Sequence, residues 1–172
     1  MGSFSKHIFC LFTLVLVYTT SVAQKPTIIT FDAKMTQVEN LGLKLKIATF
    51  IVEKDGEIID TNVTINGRAF YDMNPGHIYK FTFSKSGYVT KFLLVDTREV
   101  PVKYKKKSKL KVDVSLFEHR KGLDVEFLKT EAMGIANFNF VRKKLTWNEE
   151  YTRSIVEKII DATLQYTATK EG

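Results

Sequence analysis

Six lysines fall within nine residues: Lys103, Lys105, Lys106, Lys107, Lys109 and Lys111. Ammonium groups at that density attract phosphate-rich or carboxylate-rich polymers, and lipopolysaccharide and peptidoglycan are envelope polymers of that chemistry. Nucleic acid would fit only a chain that stayed in the cytosol. The same run would serve equally as a solvated loop entering an edge strand, where lysines discourage unwanted pairing. Trp147, the single tryptophan, is the aromatic that could stack on a glycan if it stands exposed.

Catalytic constellations are missing by residue type and spacing. A zinc site wants three or four His, Cys or acidic ligands, whereas His77 and His119 stand 42 positions apart and no HExxH occurs. Both histidines read as loop residues, one after Pro75-Gly76 at a strand entrance and one after a strand end. No GxSxG elbow accompanies the Ser, His and Asp residues, and no GxGxxG or GxxxxGK phosphate loop is present. The expectation is therefore a protein that is not an enzyme and takes no cofactor or metal.

These residues belong to a chain of 172 residues that is 44% apolar and 26% charged, with a net charge of +7. Such a composition suits one modest globular domain and excludes disordered or collagen-like classes. The one cysteine, Cys10, rules out a disulfide scaffold. It lies in the apolar run Ile8 to Tyr18, which Lys6 precedes and Ser21-Val22-Ala23-Gln24 follows. That run is too short to span a bilayer. A basic start, a short apolar core and small residues at Ser21 and Ala23 predict a secretory signal peptide over 1–23, cut before Gln24. Cys10 lacks the preceding small residues of a lipid-attachment box. The periplasm or cell envelope is the expected location.

From Leu41 the apolar period is two: Leu41, Leu43, Leu45, Ile47 and Ile51 share a face, and Ala48, Phe50 and Val52 make the far half apolar on both sides. Asp55-Gly56 is a hairpin turn signal, so Glu57 to Ile65 should return antiparallel. After Asn66-Gly67, the segment His77 to Phe83 places Tyr79, Phe81 and Phe83 inward. Tyr88 to Val95 reads as a central strand, with Leu94 in the core. Leu110, Val112, Val114 and Leu116 turn inward from a last strand, and that alternation sends Lys109 and Lys111 outward. About six strands at roughly ten-residue spacing predict an antiparallel β-sandwich.

Residues 118–145 lack a clear period. Thr146-Trp147-Asn148-Glu149 fits a capping box opening a C-terminal amphipathic α-helix, expected over 146–168. Tyr151, Ile155, Ile159, Ala162 and Tyr166 form its stripe, widened by Val156, Ile160 and Thr163. Such a helix docks on its own domain or on a partner, and both remain open at this point.

The string Tyr79-x-Phe81-x-Phe83-x-Lys85-x-Gly87-Tyr88-x-x-Lys91, with Asp96-Thr97-x-x-Val100-Pro101, resembles the carboxypeptidase regulatory-like (transthyretin-like) β-sandwich domains. Further words, Val114-Ser115-Leu116-Phe117, Gly122-Leu123-Asp124 and Tyr151-Thr152-x-Ser154-Ile155, are similar to small secreted proteins of Bacteroidota that carry this domain plus a C-terminal extension. The resemblance implies a transthyretin-like or Ig-like β-sandwich over 41–117 acting as a noncatalytic accessory module. An N-terminal segment at 24–40 and an irregular extension at 118–145 complete the expected division. The 5-hydroxyisourate hydrolases of related fold end in Tyr-Arg-Gly-Ser, whereas this chain ends Thr169-Lys170-Glu171-Gly172. Two functions follow as expectations: an envelope binding or adaptor module contacting an envelope protein, or a direct binder of anionic polymer or glycan through the lysines and Trp147.

Overall fold

Aromatic side chains from three strands stack at the centre of the protein. In a computed structural model describing residues 27–38, 43–101 and 108–171, the ring of Phe31 lies 3.9 Å from that of Phe81 and nearly parallel to it. Phe50 and Tyr79 extend the stack on either side. All four rings are buried, so the two sheets that supply them close into a sandwich around one apolar core.

The strands are β1 (Ile29–Gln37), β2 (Ala48–Lys54), β3 (Glu57–Thr64), β4 (Arg68–Met73), β5 (Ile78–Ser84), β6 (Lys91–Asp96), β7 (Ser108–Leu116), β8 (Gly134–Asn139) and β9 (Lys144–Trp147). A short 3-10 helix, Glu126–Lys129, precedes β8, and the α-helix α1 spans Glu149–Glu171. One sheet has the order β4-β1-β7 and the other β3-β2-β5-β6-β8-β9. Pairing is antiparallel except between β1 and β7 and between β6 and β8. The protein is thus mainly β, a sandwich carrying one C-terminal helix.

Three differences from the sequence expectation have physical causes. The segment 24–40 contributes β1, the middle strand of the smaller sheet, because Ile29, Phe31, Ala33 and Met35 alternate inward with perfect period. The segment 118–145 supplies β8, whose pairing with β6 is parallel and whose hairpin with β9 extends the larger sheet. The long strand expected from Leu41 begins only at Ala48 within the described residues. Leu45 N–H donates to Met35 O at 2.9 Å, which ties this stretch to β1. Ile47 then takes a φ of +54°, turning the chain across to the other sheet and leaving its own side chain outside.

Helix α1 starts later than expected. Thr146 and Trp147 belong to β9, and the cap is Asn148, whose Oδ1 accepts the Tyr151 N–H at 3.0 Å. Glu149 and Glu150 add negative charge to the first turn, where the helix dipole favours it. Ile155, wholly buried, anchors the helix in a second cluster with Val89, Val125 and Leu128, and Tyr151, Ile159 and Ala162 pack around it. The helix therefore docks on its own domain. Lys158 ties it to Glu131 through an ion pair of 2.6 Å.

Candidate binding groove between β7 and the C-terminal helix

The expected site residues divide into three groups. Lys103, Lys105, Lys106 and Lys107 lie outside the described residues, as do the leader 1–23 and the cut before Gln24. Lys109 and Lys111 stand exposed on the outer face of β7, while Leu110 and Val114 are buried and Val112 is half-buried on the inner face. Trp147 is not the exposed aromatic expected. It is half-buried against the core, and its Nε1–H donates to the Lys111 carbonyl at 2.9 Å. Leu94, expected in the core, is half-buried, because β6 turns Leu93 and Val95 inward.

The Trp147–Lys111 bond joins two of those residues at the mouth of a groove of about 720 Å³ between β7, β8 and α1. Val112, Val114, Leu93 and Met133 line its sheet side, and Val156 and Ile160 its helix side. Gly134 lies in the lining, where a Cβ would meet Leu93 Cδ2 at 3.2 Å and Thr152 Oγ1 at 3.3 Å. Charges of both signs border the opening, with Lys111 and Arg153 against Asp113, Glu149 and Glu157. Volume and apolar lining both fall in the range of sites that hold a ligand group.

Backbone parity along β7 shows what faces this groove. Val38 N–H donates to Leu116 O on the β1 side, so even-numbered residues bond to β1 and odd-numbered ones point away from it. The outward carbonyls are mostly taken: Lys111 O by Trp147, Ser115 O by Lys91 Nζ at 2.7 Å, and Phe117 O by Val89 N–H. Between them, the outward N–H and C=O of Asp113 have no partner among the described residues. An extended backbone laid along the groove could pair with both, which is the hydrogen-bond pattern of strand addition.

Sequence reasoning missed Asp113, Met133 and the helix wall. A signal was present, since Val156 and Ile160, followed by Leu164, form a second apolar row beside the stripe that docks. These three are 41%, 51% and 63% exposed, so intramolecular packing does not use them.

The lysines of β7 have a second setting. Lys109 Nζ lies 2.7 Å from Oδ2 of Asp32, a buried carboxylate that Arg68 also approaches at 3.5 Å. Lys109 and Arg68 both lie over the exposed ring of Phe70. Elsewhere, His77 Nδ1 sits 2.6 Å from Asp55 Oδ2, so this histidine is a half-buried partner of a turn carboxylate rather than a free loop residue. The Ile78 N–H and the His77 ring together hold the Asp55 carboxyl below its ordinary range. Among the described residues no group of three His, Cys, Asp or Glu side chains converges on one point, and no helix is long and apolar enough to cross a membrane.

No family model matches the chain, and no curated protein matches it. Among solved structures it is similar to the Bacillus anthracis TIE protein, with 17% identity and a TM-score of 0.44 over 54% of this chain and 17% of that one. It is also similar to 3-chlorocatechol 1,2-dioxygenase from Rhodococcus opacus 1CP, with 10% identity and a TM-score of 0.41 over 57% of this chain and 62% of that one. Likeness this distant carries neither protein's activity to this one.

Proposed function

We propose that the protein is a noncatalytic binding or adaptor module of the cell envelope, and that it holds an extended segment of an envelope protein in the groove between β7 and α1. The unpaired backbone of Asp113 supports this most directly, because only another extended chain satisfies an adjacent N–H and C=O together while filling an apolar trough. Acidic Asp113 and Glu157 on opposite walls favour a guest with an apolar side chain next to a basic one. The carboxypeptidase regulatory-like motif and the signal-like leader support the accessory role and the envelope setting. A photo-crosslinking residue at Val156, introduced in the native cell, should capture one envelope protein. Added back as a peptide, the captured segment should slow exchange of the Asp113 amide. Capture that Ile160→Asp leaves unchanged, or an Asp113 amide that exchanges freely in the complex, would sink the proposal.

A second function, direct binding of lipopolysaccharide or peptidoglycan, draws on the outward placement of Lys109 and Lys111, with Lys109 beside Arg68 and Phe70. Lys109 is held by Asp32, so Lys111 together with Lys103, Lys105, Lys106 and Lys107 would carry most of the attraction. The adaptor function is favoured because the groove has shape and directional hydrogen bonding, whereas the lysine face supplies charge alone.

A further inference from the structure

A β-sandwich with two open sheets exposes four edges, and here they are β4, β7, β3 and β9. Native edges are blunted by charge, shortness or cover, because a bare row of N–H and C=O groups templates pairing with another chain. Strand β7 carries Lys109 and Lys111 and is capped on both sides of Asp113. Strand β9 is four residues long and begins at Lys144, directly after Arg142 and Lys143. Strand β4 bears Arg68 and Asp72. Strand β3, Glu-Ile-Ile-Asp-Thr-Asn-Val-Thr, runs for eight residues without a Lys, Arg or Pro. It packs little of itself against its own domain: Ile58 is 66% and Val63 62% exposed. A β-bulge interrupts its ladder with β2 only at the turn end, between Val52 and Glu53, and the stretch from Asp60 to Thr64 is regular.

We propose that β3 is a self-association edge, which pairs antiparallel with β3 of a second copy about a two-fold axis at Thr61. A two-fold through an antiparallel pair keeps every residue on its own face, so the register must centre on a residue. Centring on Asp60 would oppose two carboxylates. Centring on Thr61 sets Asp60 against Asn62 of the second copy, an acceptor against a donor, and Ile59 against Val63 at both ends. Within one chain Asn62 already donates to Asp60 at 2.7 Å, so the same two groups only exchange partners across the axis. Charge favours the same edge: the protein carries a net +7, and β3, without a cation, is where two such copies approach with least repulsion. The larger sheets of the two copies become one continuous sheet, independently of the groove on β7.

Sedimentation equilibrium of the purified chain should give the mass of two copies at tens of micromolar. Val63→Lys should weaken that dimer by about tenfold or more while leaving the melting temperature of the dilute monomer unchanged, since it places a cation on the edge without touching the core. In a Cys10→Ser background, Thr61→Cys should form an intermolecular disulfide on mild oxidation, because residues facing across the axis lie within bridging distance. Ser86→Cys, at an exposed turn, should not. A monomeric wild type overturns the proposal, and so does a dimer that Val63→Lys leaves intact or a Thr61→Cys chain that cross-links no better than Ser86→Cys.

Discussion

Gly67 holds the corner where three chain segments meet. Its φ is +67°, and a Cβ at this position would come within 2.8 Å of the Met35 carbonyl and 3.1 Å of the Leu45 backbone. Its own carbonyl accepts the Met35 N–H at 2.7 Å, so the glycine cannot retreat without breaking a buried bond. Gly67→Ala should cost about 2 kcal/mol or more, from the left-handed backbone and the backbone contact together, readable as a lower midpoint in urea. Two carboxylates make the fold sensitive to acid. Asp55 is held low by the Ile78 N–H and His77, and Asp96 by the Arg98 guanidinium. Depressed folded-state values stabilise the protein above the unfolded value of about 3.9 and lose that contribution as pH falls through them. Stability should therefore drop on acidification below about pH 4, and an Asp55→Asn, Asp96→Asn double variant should show a shallower decline in melts from pH 5 to 2.

Among the elements, β5 carries the centre of the core and α1 the division between packing and display. Phe81→Ala should cost roughly 3 to 5 kcal/mol, since the ring is wholly buried against Phe31 and Phe50. Along α1, Ile155→Asp should unfold the C-terminal cluster, whereas Val156→Asp one residue on should change stability by less than about 1 kcal/mol and act only on capture at the groove. Far-UV melts of the two variants separate these outcomes. The strands legible in sequence are those where alternation and turn chemistry coincide, as in the Asp55-Gly56 hairpin joining β2 and β3. β1 alternates in sequence as cleanly as any strand, with polar Thr30, Asp32, Lys34 and Thr36 on the face opposite the core, but no turn signal sets it off from the leader. β8 is obscure for another reason: two of its three inward residues, Gly134 and Ala136, carry almost no side chain, and only Phe138 is large. The groove was illegible because it forms where β7 and α1, distant in sequence, come together. Only the surplus apolar row on the helix hinted at it.

For the whole molecule, the sequence reading implies that a protein recovered from the envelope fraction has Gln24 as its first residue and no lipid attached. Intact-mass measurement decides this, and full-length chain in the cytosol would remove the envelope setting on which both proposed functions rest. The lysine run has its own arbiter. Replacing Lys105, Lys106 and Lys107 with Gln should leave the melting temperature nearly unchanged, as the sequence reading of a solvated charge run expects. If the run binds polymer, the variant should elute from immobilised lipopolysaccharide at lower salt. Elution identical to wild type would mark the run as solvation alone. Groove variants should be indifferent to salt in that assay, so the two surfaces can be scored separately.

The smaller sheet is built inside out. Its middle strand, β1, precedes both of its neighbours in the chain, yet its antiparallel neighbour is complete only at Met73 and its parallel neighbour only at Leu116. The Thr36–Ser115 hydrogen bond spans 79 residues. Phe31 meets its opposite wall earlier, in Phe50 and Phe81 of the larger sheet, but until that distant segment is present β1 is paired on one side only. Contacts of such long sequence separation are slow to form, on the order of milliseconds to seconds. The smaller sheet therefore closes late, when its central strand is clasped from both sides.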